Sequence, residues 1–436
     1  MSVIELGRLG SERSEIDSAV EGKTTVELLE RNATVHGDVP AIHWKEGEEW
    51  KLLTWADYRT VALEAAAGLT TLGVEPGDVV AIQASNRPEH LIADSGAIHA
   101  GATGVTLYAT LAPGQIAYIA HDCKAKVAVL EDPSYLHRWE SVRSEIPDLR
   151  YAVLMTGSES FAGSDWVLSW DDLIARGRAS LQANPGLVAE RVKGLSPSDV
   201  ATLIYTSGTT GFPKGVIFSH RNLLWTAESS RRALDLPPNL RLVSYLPLAH
   251  IAERMVTMYL SLWMAGQVWL CPDLNQVLEY VTRARPQAFL GVPRVWEKFQ
   301  TRLLNRFAED SKQKLITRAV ENGQRLVKAR QQGRAPFFTS LLNLVFDRLI
   351  FRKVRSTLGM DQLTVAVTTA APTDPELIVF FNSLGIPLCE LFGLSECSGP
   401  ATTNRPEANR IGSVGTPLPG VEIQVASDGE ILIRGG

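Results

Sequence analysis

The chain has 436 residues, 45% of them hydrophobic and 21% charged. At roughly 150 residues per domain, that is apolar material for two or three units with their own cores, and it excludes a disordered tail. With 43 Lys and Arg against 48 Asp and Glu the net charge is −5, so no global basic excess points to a nucleic-acid partner. Cys123, Cys271, Cys389 and Cys397 show neither CxxC spacing nor the density of a disulfide scaffold, which favours a reducing cytoplasm.

Residues 1–23 carry Glu5, Arg8, Glu12, Arg13, Glu15, Asp17 and Glu21 and leave no apolar stretch for a secretory signal. Thr54 and Asp57 have capping-box spacing, and Trp55, Tyr58, Val61, Ala62, Ala65, Leu69 and Leu72 form one apolar stripe, so a helix is expected there, ended by Gly73. Strands are expected at 79–84, 104–110, 126–131 and 151–156, with a helical stretch from about Pro88. Strands buried on both faces and separated by helices imply a parallel sheet with right-handed crossovers.

After the polar stretch 195–199 the pattern restarts, with strands expected at 200–206, 241–246, 267–271, 288–292 and 363–368. Helices are expected after His250, after Leu274 and across much of 294–333. The longest uncharged run, 255–272, is diluted by Thr257, Ser261, Gly266 and Gln267 and falls short of the ~20 apolar residues of a membrane span. It reads as a core helix followed by a buried strand. Residues 421–425 and 430–434, joined at Ser427-Asp428-Gly429, read as a hairpin.

The most informative segment is Tyr205-Thr206-Ser207-Gly208-Thr209-Thr210-Gly211-Phe212-Pro213-Lys214-Gly215, which follows an apolar strand. Glycines let backbone amides approach an anion, hydroxyls donate to phosphate oxygens, and a lysine adds a point charge. It is not a Walker loop, because Pro213 precedes Lys214 and Gly215 follows it. The segment resembles the phosphate-binding signature of the adenylate-forming superfamily, which includes acyl-CoA synthetases, peptide-synthetase adenylation domains and luciferases.

The resemblance runs from about Thr24 to the last residue. Pro247-Leu248-Ala249-His250 resembles the second core motif, whose histidine sits beside the bound carboxylate. Thr368-Thr369-Ala370-Ala371-Pro372 resembles the adenine-contacting turn, although glycine or small residues are usual where Thr368 and Thr369 stand. Leu391-Phe392-Gly393-Leu394-Ser395-Glu396 resembles the aromatic-Gly-x-Thr/Ser-Glu motif. The resemblance implies that Phe392 stacks on the purine beside Gly393, that Ser395 donates near the α-phosphate, and that Glu396 and Thr206 hold Mg²⁺. It implies that Thr206, Ser207, Gly208, Thr209, Thr210, Gly211 and Lys214 hold the phosphates and that Thr368, Ala370, Ala371 and Pro372 hold the adenine. Lys214, His250 and Glu396 are the expected catalytic residues.

The implied chemistry is ATP-dependent activation of a carboxylate to an acyl adenylate, followed by transfer to coenzyme A. Residues 246–252 contain no acid to bind an amino-acid ammonium, and Met255, Val256, Met258, Tyr259, Leu260, Leu262 and Trp263 suit an alkyl chain. The stretch 294–363 resembles that of long-chain fatty acyl-CoA synthetases. A long-chain fatty acid is therefore the expected substrate.

Residues 294–355 hold fifteen Lys and Arg against five Asp and Glu, a net +10. With Pro336, Phe337, Phe338, Leu341, Leu342, Val345, Phe346, Ile350 and Phe351 interleaved, this segment is a candidate for peripheral contact with an anionic membrane, against the plainer reading of helices on their own core with a solvated basic face. The expected fold is α/β: a first subdomain at 1–195, a second at 196–385 with the nucleotide loop and a helical insertion, and at 386–436 the start of a partial small β-barrel. The resemblance ends before the ribose-binding Arg-Thr-Gly-Asp segment and the C-terminal lid with its lysine, so impaired activity of this stretch is expected. The alternatives are a fatty acyl-AMP ligase that loads a carrier protein and a non-catalytic nucleotide- or lipid-binding remnant.

Overall fold

Val79, Ala81, Ala125 and Ala128 pack into one apolar cluster, while Val80, Ile82, Val127 and Val129 pack into another. Alternate side chains of one strand therefore enter two cores, as a sheet covered on both faces requires. The computed structural model describes residues 3–206, 211–334 and 336–436. The chain divides into two compact units, Ser18–Ala227 with Ser244–Leu274, and Met1–Asp17 with Glu228–Val243 and Asn275–Gly436.

In the first of these, seven strands form one sheet in the order Val167–Ser169, Tyr151–Leu154, Ala125–Leu130, Val79–Gln83, Thr103–Thr106, Val200–Thr206, Lys214–Ser219. All neighbours are parallel except the last pair, so the sheet is mixed where sequence patterning implied a parallel one. The reason lies in the turn: only seven residues separate Thr206 from Lys214, too few for a crossover helix. A hairpin, Pro40–Glu46 with Glu49–Thr54, adds a further antiparallel pair, and Pro40–Glu46 runs parallel to Gln267–Leu270.

The expected helix is Trp55–Thr71, with the Thr54–Asp57 capping box formed in both directions. It crosses Trp170–Ala183 so closely that a Cβ on Gly177 would lie 1.7 Å from the Glu64 carbonyl oxygen. The uncharged run forms Ile251–Arg254, a π-helical turn Met255–Leu260 and Ser261–Met264, then the strand Gln267–Leu270. Among the described residues no helix is long and apolar enough to cross a membrane.

In the other unit Ala288–Gly291, Val365–Thr368 and Leu388–Leu394 are parallel, and Gly399–Thr403 and Thr416–Pro417 extend the sheet antiparallel. Phe289, Trp296, Phe299 and Phe381 form an aromatic cluster under it. The C-terminal hairpin Glu422–Val425/Ile431–Arg434 pairs as expected, and Arg13 Nε donates to Gly420 O at 2.7 Å beside it. No closed barrel forms among the described residues: the β-rich end is an antiparallel sheet extension plus a separate two-stranded hairpin. Residues 294–355 fold as helices, Pro293–Glu309, Gln313–Gln331 and Phe337–Phe346, then a π-helical turn Asp347–Phe351 and the helix Arg352–Leu358.

Candidate active site

Thr206 and Lys214 are cross-strand partners, so the glycine-rich segment leaves and re-enters the sheet at one place. Ser207, Gly208, Thr209 and Thr210 lie outside the described residues. What flanks them is firmly anchored. Tyr205 donates its hydroxyl to Asp122 Oδ2 at 2.6 Å, and burial together with that bond pushes the phenol pKa up, which keeps it a donor. Phe212 stacks on Tyr118 with ring centroids 4.7 Å apart. Gly211 has φ 135°, a conformation that disfavours side chains. Lys214 is exposed and makes no ion pair among the described residues, so its charge is available to an anion.

His250 lies in the same unit. Asn86 Nδ2 donates to Ser244 Oγ and Leu246 O at 2.8 and 2.9 Å, tying down the loop that leads to it. From the other side, the Glu253 carboxylate accepts from Leu246 N at 3.2 Å and Thr257 Oγ1 at 2.6 Å. Burial pushes the Glu253 pKa up to about 7, against the pull of those donors. His250 caps the turn Ile251–Arg254, with Nδ1 accepting from Ala252 N at 3.1 Å. That bond assigns the proton of the neutral ring to Nε2, and burial lowers the ring's pKa and so favours the neutral form. His250 is thus a neutral Nε2–H donor.

Arg254 locks the segment that follows. Its guanidinium pairs with Asp94, donates to Thr106 Oγ1 at 2.9 Å and to Tyr259 OH at 3.0 Å, and is fully buried. Sequence reading gave no role to Arg254, Asn86 or Glu253. The available signal was two charges side by side inside an otherwise uncharged stretch.

The segment 255–263, read as a core helix whose side chains also suit an alkyl chain, is mostly core. Met255, Met258, Tyr259 and Leu260 are buried. The cavity beside them, lined among others by Tyr58, Ser95, Met258 and Tyr259, measures about 30 Å³, which is far too small for a fatty chain.

In the other unit, Thr368 pairs in register with Glu390, and Thr369 Oγ1 donates to Leu391 O at 2.8 Å. The turn 368–372 and the motif 391–396 therefore sit side by side at one end of a sheet. Thr368 is buried with its hydroxyl 2.8 Å from that of Thr373, whereas Ala370, Ala371 and Pro372 are exposed. Ala370 has φ 71°, a left-handed conformation unusual for a residue with a Cβ.

Phe392 is half-buried opposite Thr402. A Cβ on Gly393 would lie 1.9 Å from Gly399 O, so only glycine lets the two strands approach. Ser395 and Glu396 lie in a tight turn, Ser395–Cys397, which the Cys397 thiol closes through Leu394 N at 3.3 Å and Gly399 O at 3.2 Å. Sequence reading assigned Cys397 no such role. Glu396 is exposed with no bonded partner among the described residues. A free carboxylate suits a hard cation, and no group of three or more His, Cys, Asp or Glu gathers among the described residues as a transition-metal site would need.

A family model described as AMP-binding enzyme matches residues 29–436. A long-chain-fatty-acid–CoA ligase of Xenopus laevis is 35% identical over 428 residues, covering 94% of this chain and 57% of the relative. A long-chain-fatty-acid–CoA ligase of Mycobacterium bovis is 31% identical over 389 residues, covering 89% and 63%. The chain thus spans a little over half the length of the curated relatives it matches. Among solved structures, an anthranilate CoA ligase in complex with anthranoyl-AMP superposes with TM-score 0.71 at 20% identity, covering 95% of this chain and 70% of that one. A Mycobacterium tuberculosis fatty acyl CoA synthetase gives 0.66 at 20% identity, covering 94% and 67%.

Proposed function

The chain belongs to the AMP-binding enzyme family, and from that premise we propose that it binds ATP and a long-chain fatty acid for activation to the acyl adenylate, the first half of an acyl-CoA ligase reaction. The carrying observation is the free, exposed Lys214 held opposite Thr206, with both ends of the intervening glycine- and hydroxyl-rich segment anchored. The fatty-acid reading draws on the relatives' names.

In the reaction, a carboxylate oxygen attacks the α-phosphorus of ATP and the bond to the bridging oxygen breaks, releasing pyrophosphate. In the second half a thiolate attacks the acyl carbon and AMP leaves. The chain's own work in the first half is to bring two anions together and to place positive charge where it builds on phosphorus. Lys214 supplies a cation, and Ser207, Gly208, Thr209, Thr210 and Gly211 supply donors to the phosphates. His250, a neutral Nε2–H donor, orients the acyl carboxylate without bringing a second formal charge. Ala370, Ala371 and Pro372 form the wall for the adenine beside Thr368, Phe392 stacks on it next to Gly393, and Ser395 donates near the α-phosphate. Thr206 and Glu396 would hold Mg²⁺, which when bound offsets the charge of the phosphate oxygens. Coenzyme A is the second substrate.

The test is calorimetric titration of ATP with and without Mg²⁺, on the protein and on Glu396→Gln. The reading expects Mg²⁺ to raise ATP affinity, and Glu396→Gln to remove most of that gain. Equal affinities with and without Mg²⁺ in both proteins would remove Glu396 from the role. Palmitate-dependent pyrophosphate exchange tests the acyl class, and exchange with aryl acids alone would overturn it.

The surface of residues 294–355 favours membrane contact over the plainer reading. On the helix Phe337–Phe346, Phe337, Phe338 and Leu344 are 72%, 82% and 68% exposed, and Arg334, Arg348 and Arg352 flank them. A solvated basic face alone does not account for exposed phenylalanines. We infer peripheral binding to an anionic bilayer in a reducing compartment, where the four free cysteines stay reduced. Cosedimentation with phosphatidylglycerol vesicles at low salt, lost in Phe337→Ser/Phe338→Ser, is the expected result. Unchanged sedimentation in that variant would reject it.

A further inference from the structure

The helices of 294–358 enclose a cleft of about 240 Å³, and none of the residues discussed so far for ATP or the carboxylate lines it. Leu303, Phe307, Ile316 and Leu358 are its buried apolar floor, and Leu349 and Ile350 form its edge. Arg302, Arg306, Lys312 and Lys353 line the same cleft, with Asp310 the one carboxylate among them. Asp310 is occupied locally, its Oδ1 accepting from Lys312 N at 2.8 Å. None of the four cations makes an ion pair among the described residues.

Like charges gathered around an apolar floor repel one another, and an anion with an apolar body relieves both the repulsion and the exposed hydrocarbon. A free phosphate would leave the floor wet. The volume is below the usual lower end of small-molecule pockets, about 300 Å³, so it suits part of one alkyl chain better than a two-chain lipid. We propose that this cleft holds a single long-chain fatty acid, carboxylate among the cations and chain on the floor, as a second site apart from the one that serves adenylation. The choice of a fatty carboxylate among anionic amphiphiles rests on the proposed function. The site itself rests on the cleft.

The probe is a diazirine-bearing palmitate, applied below its aggregation limit, with crosslinks mapped by mass spectrometry. The expected result is label on peptides within 302–316 or 349–358, competed by unlabelled palmitate. Arg306→Glu/Lys353→Glu, two exposed positions, should lower that label about tenfold, the loss of one charge-assisted contact, at an unchanged melting temperature. Ile350→Trp, which narrows the cleft without changing charge, should lower it too. Label in the cleft but none near His250 supports the second site and counts against the adenylation reading. Label near His250 with none in the cleft does the reverse. Cleft label that ignores the charge reversal, or that only phosphatidylglycerol vesicles displace, overturns the proposal.

Discussion

Arg254 and Asp94 face each other with neither side chain exposed to solvent, and the backbone N–H of Arg254 donates to the carbonyl of His250 at 3.0 Å. A buried ion pair is a poor stabiliser in itself, but removing one partner strands the other charge in a low-dielectric interior. Gly104 packs so tightly that a Cβ there would lie 2.2 Å from Asp94 Oδ1, so the carboxylate has no room to turn toward water. Arg254→Met is expected to cost about 3–5 kcal/mol in urea unfolding, and Asp94→Asn somewhat less. The double variant should lose clearly less than the sum of the two, because no charge is then stranded. Additive losses would mean that the two groups do not depend on each other.

Glu253 gives the protein a pH signature. Its folded pKa of about 7 lies above the ordinary 4.5, so the unfolded chain releases this proton first. Stability from this group is complete below about pH 4.5 and is lost as pH rises through 7, by about 3 kcal/mol at most. His90 and His220, each lowered to about 4 by burial, tilt the curve the other way between about pH 4 and 6.5. The difference between the protein and Glu253→Gln isolates the carboxyl. Glutamine has one acceptor oxygen for donors that include Leu246 N and Thr257 Oγ1, so the variant should be about 1–3 kcal/mol less stable at pH 4.5. Its deficit should shrink toward pH 8. A deficit constant across that range would place the titration elsewhere.

Gly393→Ala tests how the motif ending in Glu396 is built. Its Cβ would meet Gly399 O at 1.9 Å, and relief requires the strands carrying Phe392 and Thr402 to separate. A loss of about 1–3 kcal/mol in thermal unfolding is expected, with weakened ATP binding, since Phe392 and the turn 395–397 move with the strand. Gly114→Ala, where an added Cβ meets nothing within 4 Å, is the control and should change neither. Unaltered stability in Gly393→Ala would show that the strands yield freely.

What the sequence made legible was local. The loop around Lys214, the motif at 391–396 and the helix capped by Thr54 are contiguous strings whose spacing carries their geometry. Arg254 and Asp94 stand 160 positions apart, and nothing in either neighbourhood announces the other. The strand Lys214–Ser219 hid behind the loop it closes, because Lys214, Gly215 and Ile217 are exposed and break the apolar signal of a buried strand. The hairpin 40–54 is similarly diluted by Lys45, Glu46, Glu48, Glu49 and Lys51. Apolar composition left two uses open at 255–260, since side chains suited to an alkyl chain serve equally well to fill the core helix that forms there. Periodicity does not distinguish a pocket wall from an interior, since both are apolar.

Ala370 sets stability and binding at odds in one methyl group. At φ 71° an L-residue crowds its own carbonyl, a strain of about 1–2 kcal/mol that glycine does not bear. Glycine gives back part of this through the larger entropy of its unfolded chain, leaving a net gain of about 0.5–1 kcal/mol for Ala370→Gly. Ala370 is exposed on the turn proposed for the adenine, beside Ala371 and Pro372 in sequence. Removal of its methyl should therefore raise the melting temperature while weakening ATP binding about two- to fivefold, by analogy with the loss of one buried methyl(ene) contact. Higher stability with unchanged ATP affinity would move the adenine off this turn. Lower stability would mean that the left-handed backbone is held for a reason other than the fit of the turn.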